Sequence, residues 1–330
     1  MSETEMSQKE KVAVVLFNLG GPDSLEAVKP FLFNLFNDPA IITVPNPLRW
    51  FLAKLISARR APFARNIYRE IGNKSPLLEQ TQDQARALQD KLNQSGESDY
   101  ACFISMRYWH PFSDETVEKV KAFGPDRIVL LPLYPQYSVT TTGSSLIDWN
   151  KKAQKAGLSV PTQIIRDYPV DKKFIAAHVA LIRDKLNGIQ NPENYRLLFS
   201  AHGLPKKVIE AGDPYQKQVE QTCAAIIEKL GETGLEYITC YQSRVGPLEW
   251  IGPSTENEID RAGEDRKNLI IVPVAFVSEH SETLVELDIE YREFAEKAGV
   301  MDYVRVPALQ CQPDFIDSLA CQVLGTKETN

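Results

Sequence analysis

Tyr195-Arg-Leu-Leu-Phe-Ser-Ala-His202-Gly and Asn268-Leu-Ile-Ile-Val-Pro-Val-Ala-Phe-Val-Ser-Glu-His280-Ser-Glu282 are two apolar runs that each end in a polar cluster holding a histidine. Runs this short and this continuously apolar are typical of parallel strands covered on both faces. In an open α/β sheet, ligands bind just beyond the carboxyl ends of the strands. His202 and Glu282 are far apart in sequence, yet both sit on that rim if their strands share a sheet. An imidazole facing a carboxylate there can handle a proton, a metal ion, or both.

Six further runs of the same kind join these two, at 12–17, 100–106, 127–133, 161–165, 237–241 and 303–307. The pair quoted above then covers strands at 195–200 and 268–276. Helical stretches at 77–92, 171–186 and 213–230 alternate with them, and strand–helix–strand succession points to parallel sheet in an α/β fold. Four runs precede residue 170 and four follow residue 194. The third run of each half carries a proline in the same place, Pro132 and Pro273. Proline avoids central strands because it cannot donate to the ladder, so its recurrence suggests two related domains. The expected division is 11–168, 169–310, and a C-terminal helix and tail at 311–330, with that helix at 313–324.

The 330-residue length fits two domains of ordinary size. The composition, 43% hydrophobic and 25% charged, is that of a globular protein. A formal net charge of -7 argues against nucleic acid as a partner, since phosphate binding needs concentrated positive charge. Residues 1–10 contain no apolar core of a secretion signal. The apolar stretch 269–277 is far below the ~20 residues that span a bilayer. The five cysteines form no C-x-x-C pair, and reduced thiols in a cytoplasmic protein are expected. Asn18-Leu-Gly-Gly-Pro-Asp after the first strand reads as a tight turn, because neither common phosphate-loop pattern is present.

A helix starting near Ser278 places Glu282, Glu286 and Glu290 at i, i+4 and i+8, with Glu279 and Glu293 close by. Like charges at this spacing destabilise a helix by ~0.2–0.5 kcal/mol per pair. Only the first turn gains from the helix dipole. A file that persists for three turns from a strand's carboxyl end suits conduction of a cation to a site or of protons away from it. Of the four histidines, His202 follows a strand directly and is the candidate for chemistry. His280 orients Glu282 or caps the helix, His110 suits loop packing, and His178 sits mid-helix as a structural residue. One histidine and one or two carboxylates make no closed zinc site, which takes four ligands. They suit an ion such as ferrous iron held with open positions.

Leu48, Phe51, Leu52, Leu55 and Ile56 share one helical stripe, followed by Arg59 and Arg60. A basic amphipathic helix of this kind rests on a membrane surface or closes over a flat apolar ligand; an ordinary core-facing helix reads the same way. Tyr68, Tyr108, Trp109, Tyr134, Tyr137 and Trp250 gather near the presumed rim. Aromatic walls with a few cations would suit a large planar anion.

Taken in order along residues 11–318, these motifs resemble the ferrochelatase family. The carriers are Asn18-Leu-Gly-Gly-Pro, Gly72-Asn-Lys-Ser-Pro-Leu, Met106-Arg-Tyr-Trp-His-Pro, Tyr134-Pro-Gln-Tyr-Ser and Thr141-Thr-Gly-Ser-Ser. They continue through Ser200-Ala-His-Gly-Leu-Pro, Gly212-Asp-Pro-Tyr, Gln242-Ser-Arg-Val-Gly-Pro with Trp250, and Ser278-Glu-His-Ser-Glu-Thr-Leu-Val-Glu-Leu-Asp. The resemblance implies two similar Rossmann-like domains with a porphyrin cleft between them, and insertion of ferrous iron into protoporphyrin IX as the last step of haem synthesis. It assigns His202 and Glu282 as catalytic and metal-binding residues, Glu286 and Glu290 as an acidic conduit, and Glu279 and His280 as their support. It places Arg59 or Arg60, Tyr68, Ser75, Arg107, Tyr108, Ser243 and Trp250 along the porphyrin pocket or its lip, and matches residues 48–60 to a lip that meets the membrane. The protein is then cytoplasmic, with peripheral contact at the inner membrane left open.

Two departures matter. Members with a two-iron, two-sulfur cluster carry a cysteine where Val139 stands, and a C-terminal cysteine group where only Cys311 and Cys321 occur. No such cluster is expected, and iron enters as substrate with no cofactor required. Glu279 replaces an aspartate common in the family. The rival readings are a chelatase for coproporphyrin or for cobalt and a precorrin, and a non-catalytic protein that closes over a small solute.

Overall fold

This computed structural model describes residues 9–94, 96–231, 234–243 and 248–326. In the N-terminal half they form β1 (Glu10–Asn18), α1 (Val28–Phe36), α2 (Leu48–Glu70), α3 (Leu77–Asn93), β2 (Ser98–Met106), α4 (Ser113–Phe123), β3 (Arg127–Pro132), α5 (Ser144–Ala156) and β4 (Thr162–Ile164). The C-terminal half follows with α6 (Lys172–Leu186), β5 (Tyr195–His202), α7 (Lys206–Glu210), α8 (Tyr215–Leu230), β6 (Glu236–Gln242), α9 (Thr255–Glu264), β7 (Asn268–Pro273), α10 (Tyr291–Lys297), β8 (Tyr303–Arg305) and α11 (Pro313–Gly325). Two π-helical segments, Val139–Gly143 and Glu282–Glu290, lead into α5 and α10.

The strands make two four-stranded parallel sheets, ordered β2-β1-β3-β4 and β6-β5-β7-β8. Both orders reverse direction beside the first strand of the half. The topological switch, where ligands bind in such sheets, therefore lies between β1 and β3, and again between β5 and β7. The central strands are apolar throughout because helices cover both faces; Val12 to Leu16 and Leu197 to Phe199 have no exposed surface.

The two prolines close equivalent strands. Pro132 pairs with Phe17 and Pro273 with Ser200, each as the last residue of an inner strand. The following residue resumes the ladder, Leu133 N donating to Phe17 O and Val274 N to Ser200 O. The donor that each proline lacks would point to the outer neighbour, whose pairing stopped at Leu130 and Ile271. An inner strand thus accepts proline without a lost hydrogen bond. The expected strand at 268–276 accordingly ends at Pro273.

In the Gly-Gly-Pro turn, Gly20 adopts φ +84°, and a side chain there would press on Trp109, while one at Gly21 would overlap Ser75. The turn is filled by protein on its inner side, as a tight packing turn rather than a phosphate loop.

Helix α2 resolves the two readings of its stripe. It buries the small residues Ala53, Ser57 and Ala61, while Leu48, Phe51 and Leu55 are 55%, 61% and 55% exposed. The large side chains face outward, so the core-facing reading is corrected. The reason is spacing: α2 packs on α1, and small side chains let two helix backbones approach.

The halves share one continuous apolar cluster that includes Val14 and Leu16 of β1 together with Phe199 and Val272 of the second sheet. Polar contacts register the seam. Gln84 of α3 is fully buried; its Nε2 donates to Val277 O and Gln310 O, both at 3.1 Å, and its Oε1 accepts from Ser278 Oγ at 3.2 Å. Gln80 Oε1 accepts from Glu279 N at 2.8 Å. Replacing Gln84 by leucine strands buried carbonyls, at about 1–3 kcal/mol each. Gln84→Leu is expected to lower the midpoint of urea unfolding accordingly; an unchanged midpoint would contradict this account of the seam.

Candidate active site

His202 is the last residue of β5, and Glu282 begins the π-helical segment reached from β7. Because β5 and β7 are neighbours at the topological switch, the two side chains converge. His202 Nδ1 lies 2.9 Å from Glu282 Oε2, with the side chains 37% and 31% exposed. Trp250 stands edge-on to the imidazole, ring centres 6.5 Å apart. Tyr215 Oη donates to His202 O at 3.0 Å, and Tyr215 N is held by Asp213 Oδ1 at 2.9 Å. Asp213 Oδ2 in turn accepts from Ser138 Oγ and Val139 N of the N-terminal half. The backbone at His202 is therefore anchored across the seam through Asp213 and Tyr215.

The acidic segment departs from its expected form. The helix begins at Glu282, not near Ser278, and it is wound with π rather than α hydrogen bonding. Ser278 is occupied with Gln84 instead of capping a helix. His280 provides the start: its Nδ1 accepts from Glu282 N at 3.1 Å, and its carbonyl accepts from Thr283 N and Oγ1. Phe276 packs edge-on against its ring. Glu279 is buried and bound by Arg305, with Nη1 at 2.8 and 3.1 Å from its two oxygens, and by Ala308 N. Arg305 also chelates Asp288 through Nε and Nη2, at 2.7 and 2.6 Å. One guanidinium thus fixes both ends of residues 279–288, which carry Glu282 and Glu286.

The carboxylates differ in kind. Glu286 accepts from Ser243 N (3.0 Å), Ser243 Oγ (2.6 Å), Gln242 Nε2 (3.0 Å) and Tyr291 Oη (3.1 Å). Glu290 is exposed at the outer end of the segment. Burial opposes ionisation of Glu282, but the charge of His202 and their shared hydrogen bond hold its carboxyl well below the usual range. Burial disfavours a charged His202, yet Glu282 and Glu286 raise it above its ordinary value. Burial pushes Glu286 up to about 7, and the nearby Glu282 charge adds to the shift. His280 is lowered by burial.

The remaining candidates fall into two groups. Tyr68 of α2 faces Ser281 and Glu282, and burial pushes its phenol up to about 12. Ser243 lies against Glu286, and Trp250 against His202. Away from them, Arg107 turns inward: Nη2 meets Asp38 Oδ2 at 2.9 Å and Nε donates to Ser144 Oγ at 2.7 Å. Tyr108 is fully buried and donates to the same Asp38 oxygen. Ser75 is buried under Gly21. Arg59 is exposed on α2, and Arg60 lies over the ring of Phe36. His110 pairs with Glu115. His178 is buried against Phe174, and burial pulls it down to about 3. Arg244 to Pro247 of the Gln-Ser-Arg-Val-Gly-Pro motif lie outside the described residues. Gln84, Asp213, Tyr215, Tyr291 and Arg305 escaped the sequence-based selection of site residues, because each also joins a partner that lies far from it in the chain.

The ferrochelatase family pattern matches residues 11–326. The chain belongs to the ferrochelatase family. A ferrochelatase of Caulobacter vibrioides (strain NA1000 / CB15N) is 56% identical over 312 residues, covering 94% of this chain and 89% of that one. The ferrochelatases of Pelagibacter ubique and of Wolbachia from Drosophila simulans are 52% and 53% identical, over 96% and 94% of this chain and 92% and 98% of theirs. Among solved structures, SirB from Bacillus subtilis with Fe3+ superposes with a TM-score of 0.56 at 14% identity, covering 96% of this chain and 95% of that one. The sirohydrochlorin chelatase SirB of subspecies spizizenii in complex with cobalt gives 0.54 at 12% identity, over 97% and 96%. These two share the fold. The protein is thus an enzyme of metal insertion into porphyrin, which removes the solute-binding alternative.

The pairing of His202 with Glu282 can be read by titration. In ¹⁵N-detected NMR, His202 is expected to titrate above its ordinary value of about 6.5. In Glu282→Gln the nearest carboxylate charge and its hydrogen bond are gone, leaving burial opposed only by Glu286, so the titration should fall. A titration that stays put on substitution would mean that the carboxylate does not control the imidazole.

Proposed function

We propose that this protein inserts ferrous iron into protoporphyrin IX to give protohaem, with two pyrrole protons released per iron. Family membership supports the reaction, and the observation that carries the site assignment is the 2.9 Å contact of His202 with Glu282 on the sheet rim. With Nδ1 engaged by Glu282, Nε2 is the nitrogen that takes a pyrrole proton. Glu282 steadies the resulting imidazolium, as a carboxylate does for an acting histidine. The raised affinity of His202 for a proton suits an acceptor, and positioned base catalysis is typically worth ~10²–10⁴-fold. Glu282 also offers the incoming ion an oxygen ligand, and Glu290 presents a carboxylate at the solvent end of the segment.

A flat macrocycle keeps its nitrogen lone pairs in plane, so the ring must bend to receive a metal. Strain of ~1–5 kcal/mol can be drawn from binding elsewhere on the ring. Trp250 and Tyr68 offer apolar walls beside His202 and Glu282. Among the described candidates, Arg59 and Arg60 are in no ion pair and can meet a propionate, whereas Arg107 is already neutralised by Asp38. Iron is substrate here, and no resident iron–sulfur cluster takes part; Val139, and a C-terminal segment with only Cys311 and Cys321, support that reading.

The test is an anaerobic assay with purified protein free of bound iron and labile sulfide. Added protoporphyrin IX and ferrous iron should yield the absorption spectrum of protohaem. His202→Ala should abolish turnover while retaining porphyrin binding by fluorescence quenching. Near-normal turnover by that variant would remove His202 from the mechanism, and faster turnover of coproporphyrin or of cobalt would change the substrate.

No helix among the described residues is long and apolar enough to cross a membrane. The outward face of α2, with Leu48, Phe51, Leu55 and Phe63 exposed beside Lys54 and Arg59, serves as a peripheral membrane contact. It would let an apolar porphyrin pass from the bilayer to the site. Co-sedimentation with anionic phospholipid vesicles should fall several-fold in Phe51→Asp/Leu55→Asp; equal binding would exclude this face.

A further inference from the structure

Each iron inserted displaces two protons, and the site that receives them is partly closed by Trp250 and Tyr68. The exposed Glu290 is one outlet. The hydrogen-bond geometry points to another. Tyr291 of α10, 5% exposed, directs its single hydroxyl at two carboxylates: Glu286 Oε1 at 3.1 Å and Glu256 Oε1 of α9 at 2.9 Å. Ser243 repeats the arrangement one step inward. Its hydroxyl donates to Glu286 Oε2 at 2.6 Å and also faces Glu282. Two hydroxyls thus alternate with three carboxylates, Glu282, Glu286 and Glu256.

A hydroxyl has one hydrogen, so it can donate to only one of two carboxylates. The second oxygen–oxygen contact becomes attractive only when that carboxyl itself carries a proton. A file of this composition is completed by an extra proton and can pass one along by moving every hydrogen one place. Glu286, with all other contacts to it coming from donors, is held in position to receive and return that proton.

We infer that protons stripped from the porphyrin leave through a relay of Ser243, Glu286 and Tyr291 to Glu256 on α9. The inference deepens, and rests on, the metal-insertion reading given above. In the transfer, His202 keeps the pyrrole proton on Nε2 and passes its Nδ1 hydrogen to Glu282. Ser243 takes that proton and gives its own to Glu286 Oε2. Glu286, which starts neutral with its proton on Oε1 directed at Tyr291 Oη, gives that proton to Tyr291, which simultaneously gives its hydroxyl hydrogen to Glu256 Oε1. Every hydroxyl gains one hydrogen and loses one, so the net change is one proton moved from His202 to Glu256. Water or buffer then takes it from Oε1 of Glu256, a partly exposed residue whose Oε2 is buried without a hydrogen-bond partner among the described residues. Tyr291 and Glu256 touch no substrate and act through Glu286.

Two near-isosteric substitutions at the far end test the relay without disturbing the site. Tyr291→Phe removes the shared hydroxyl; Glu256→Gln still accepts from Tyr291 but cannot take up the proton. In the anaerobic assay each should lower kcat by at least about tenfold, below the ~10²–10⁴-fold of a directly positioned group. KM for porphyrin and for iron should stay within about twofold. The solvent deuterium isotope effect on kcat should rise as proton exit becomes limiting, a change that loosened packing alone would not cause. Glu296→Gln, an exposed acid on α10, serves as the control and should match the wild type. If Tyr291→Phe folds poorly, Glu256→Gln decides alone. Wild-type kcat and isotope effect in Glu256→Gln would overturn the relay while leaving metal insertion intact. A wild-type protein that makes no haem would overturn both.

Discussion

A histidine and a glutamate from distant parts of the chain can meet at 2.9 Å only because β5 and β7 are hydrogen-bonded neighbours. The remaining features of the site follow from that adjacency. Parallel strands deliver their carboxyl ends to one edge of the sheet, and the reversal of strand order beside β5 opens a crevice there. Neither side chain would be comfortable alone. A partly buried imidazolium needs a counter-charge, and a partly buried carboxylate needs a donor. Each supplies what the other lacks, and the surrounding acids tune the pair rather than compete for it.

The same adjacency is built twice. Asn18-Leu-Gly-Gly-Pro after β1 corresponds to Ala201-His-Gly-Leu-Pro at the end of β5, with Gly20 matching Gly203 and Pro22 matching Pro205. Trp109 lies against the first glycine and Trp250 against the second. Each second strand is extended by a loop that returns a proline carbonyl to it, Pro111 O to Met106 N and Pro253 O to Tyr241 N. A π-helical segment follows the third strand in both halves. The N-terminal copy places Leu19 where the C-terminal copy has His202, and its π-helical segment, Val139–Gly143, carries no acid. The N-terminal half thus lacks the His–Glu pair and contributes α2 as a wall beside it.

Cross-seam contacts then keep the two halves in one geometry. Gln84 and Gln80 hold the loop before Glu282, while Asp213 joins the loop after β3 to Tyr215 and so to His202. Arg305 clamps Glu279 and Asp288, leaving Glu282, Glu286 and Glu290 as the graded file. Two of the acids close to that file are therefore structural counter-charges, and those that remain for chemistry are separated in burial from inner to outer end.

Apolar runs of strand length, broken by helical stretches and repeated with proline in matching places, were enough to indicate two parallel sheets. Their ends named His202 and Glu282, because a residue at a strand's carboxyl end has a position set by the local pattern alone. Residue type alone could not tell which way a side chain turns. Arg107 reads as a cation for a ligand, but Asp38 claims it; Leu48, Phe51 and Leu55 read equally as core or as an outward face, and the small face of α2 takes the core role. The Ser243 and Gln242 donors around Glu286 and the link from Tyr291 to Glu256 depend on partners tens of residues away. Local periodicity is encoded in neighbouring residues and survives in the sequence. Contacts across the seam and between sheet and helix exist only once the chain has folded, so only the tertiary structure could assign them.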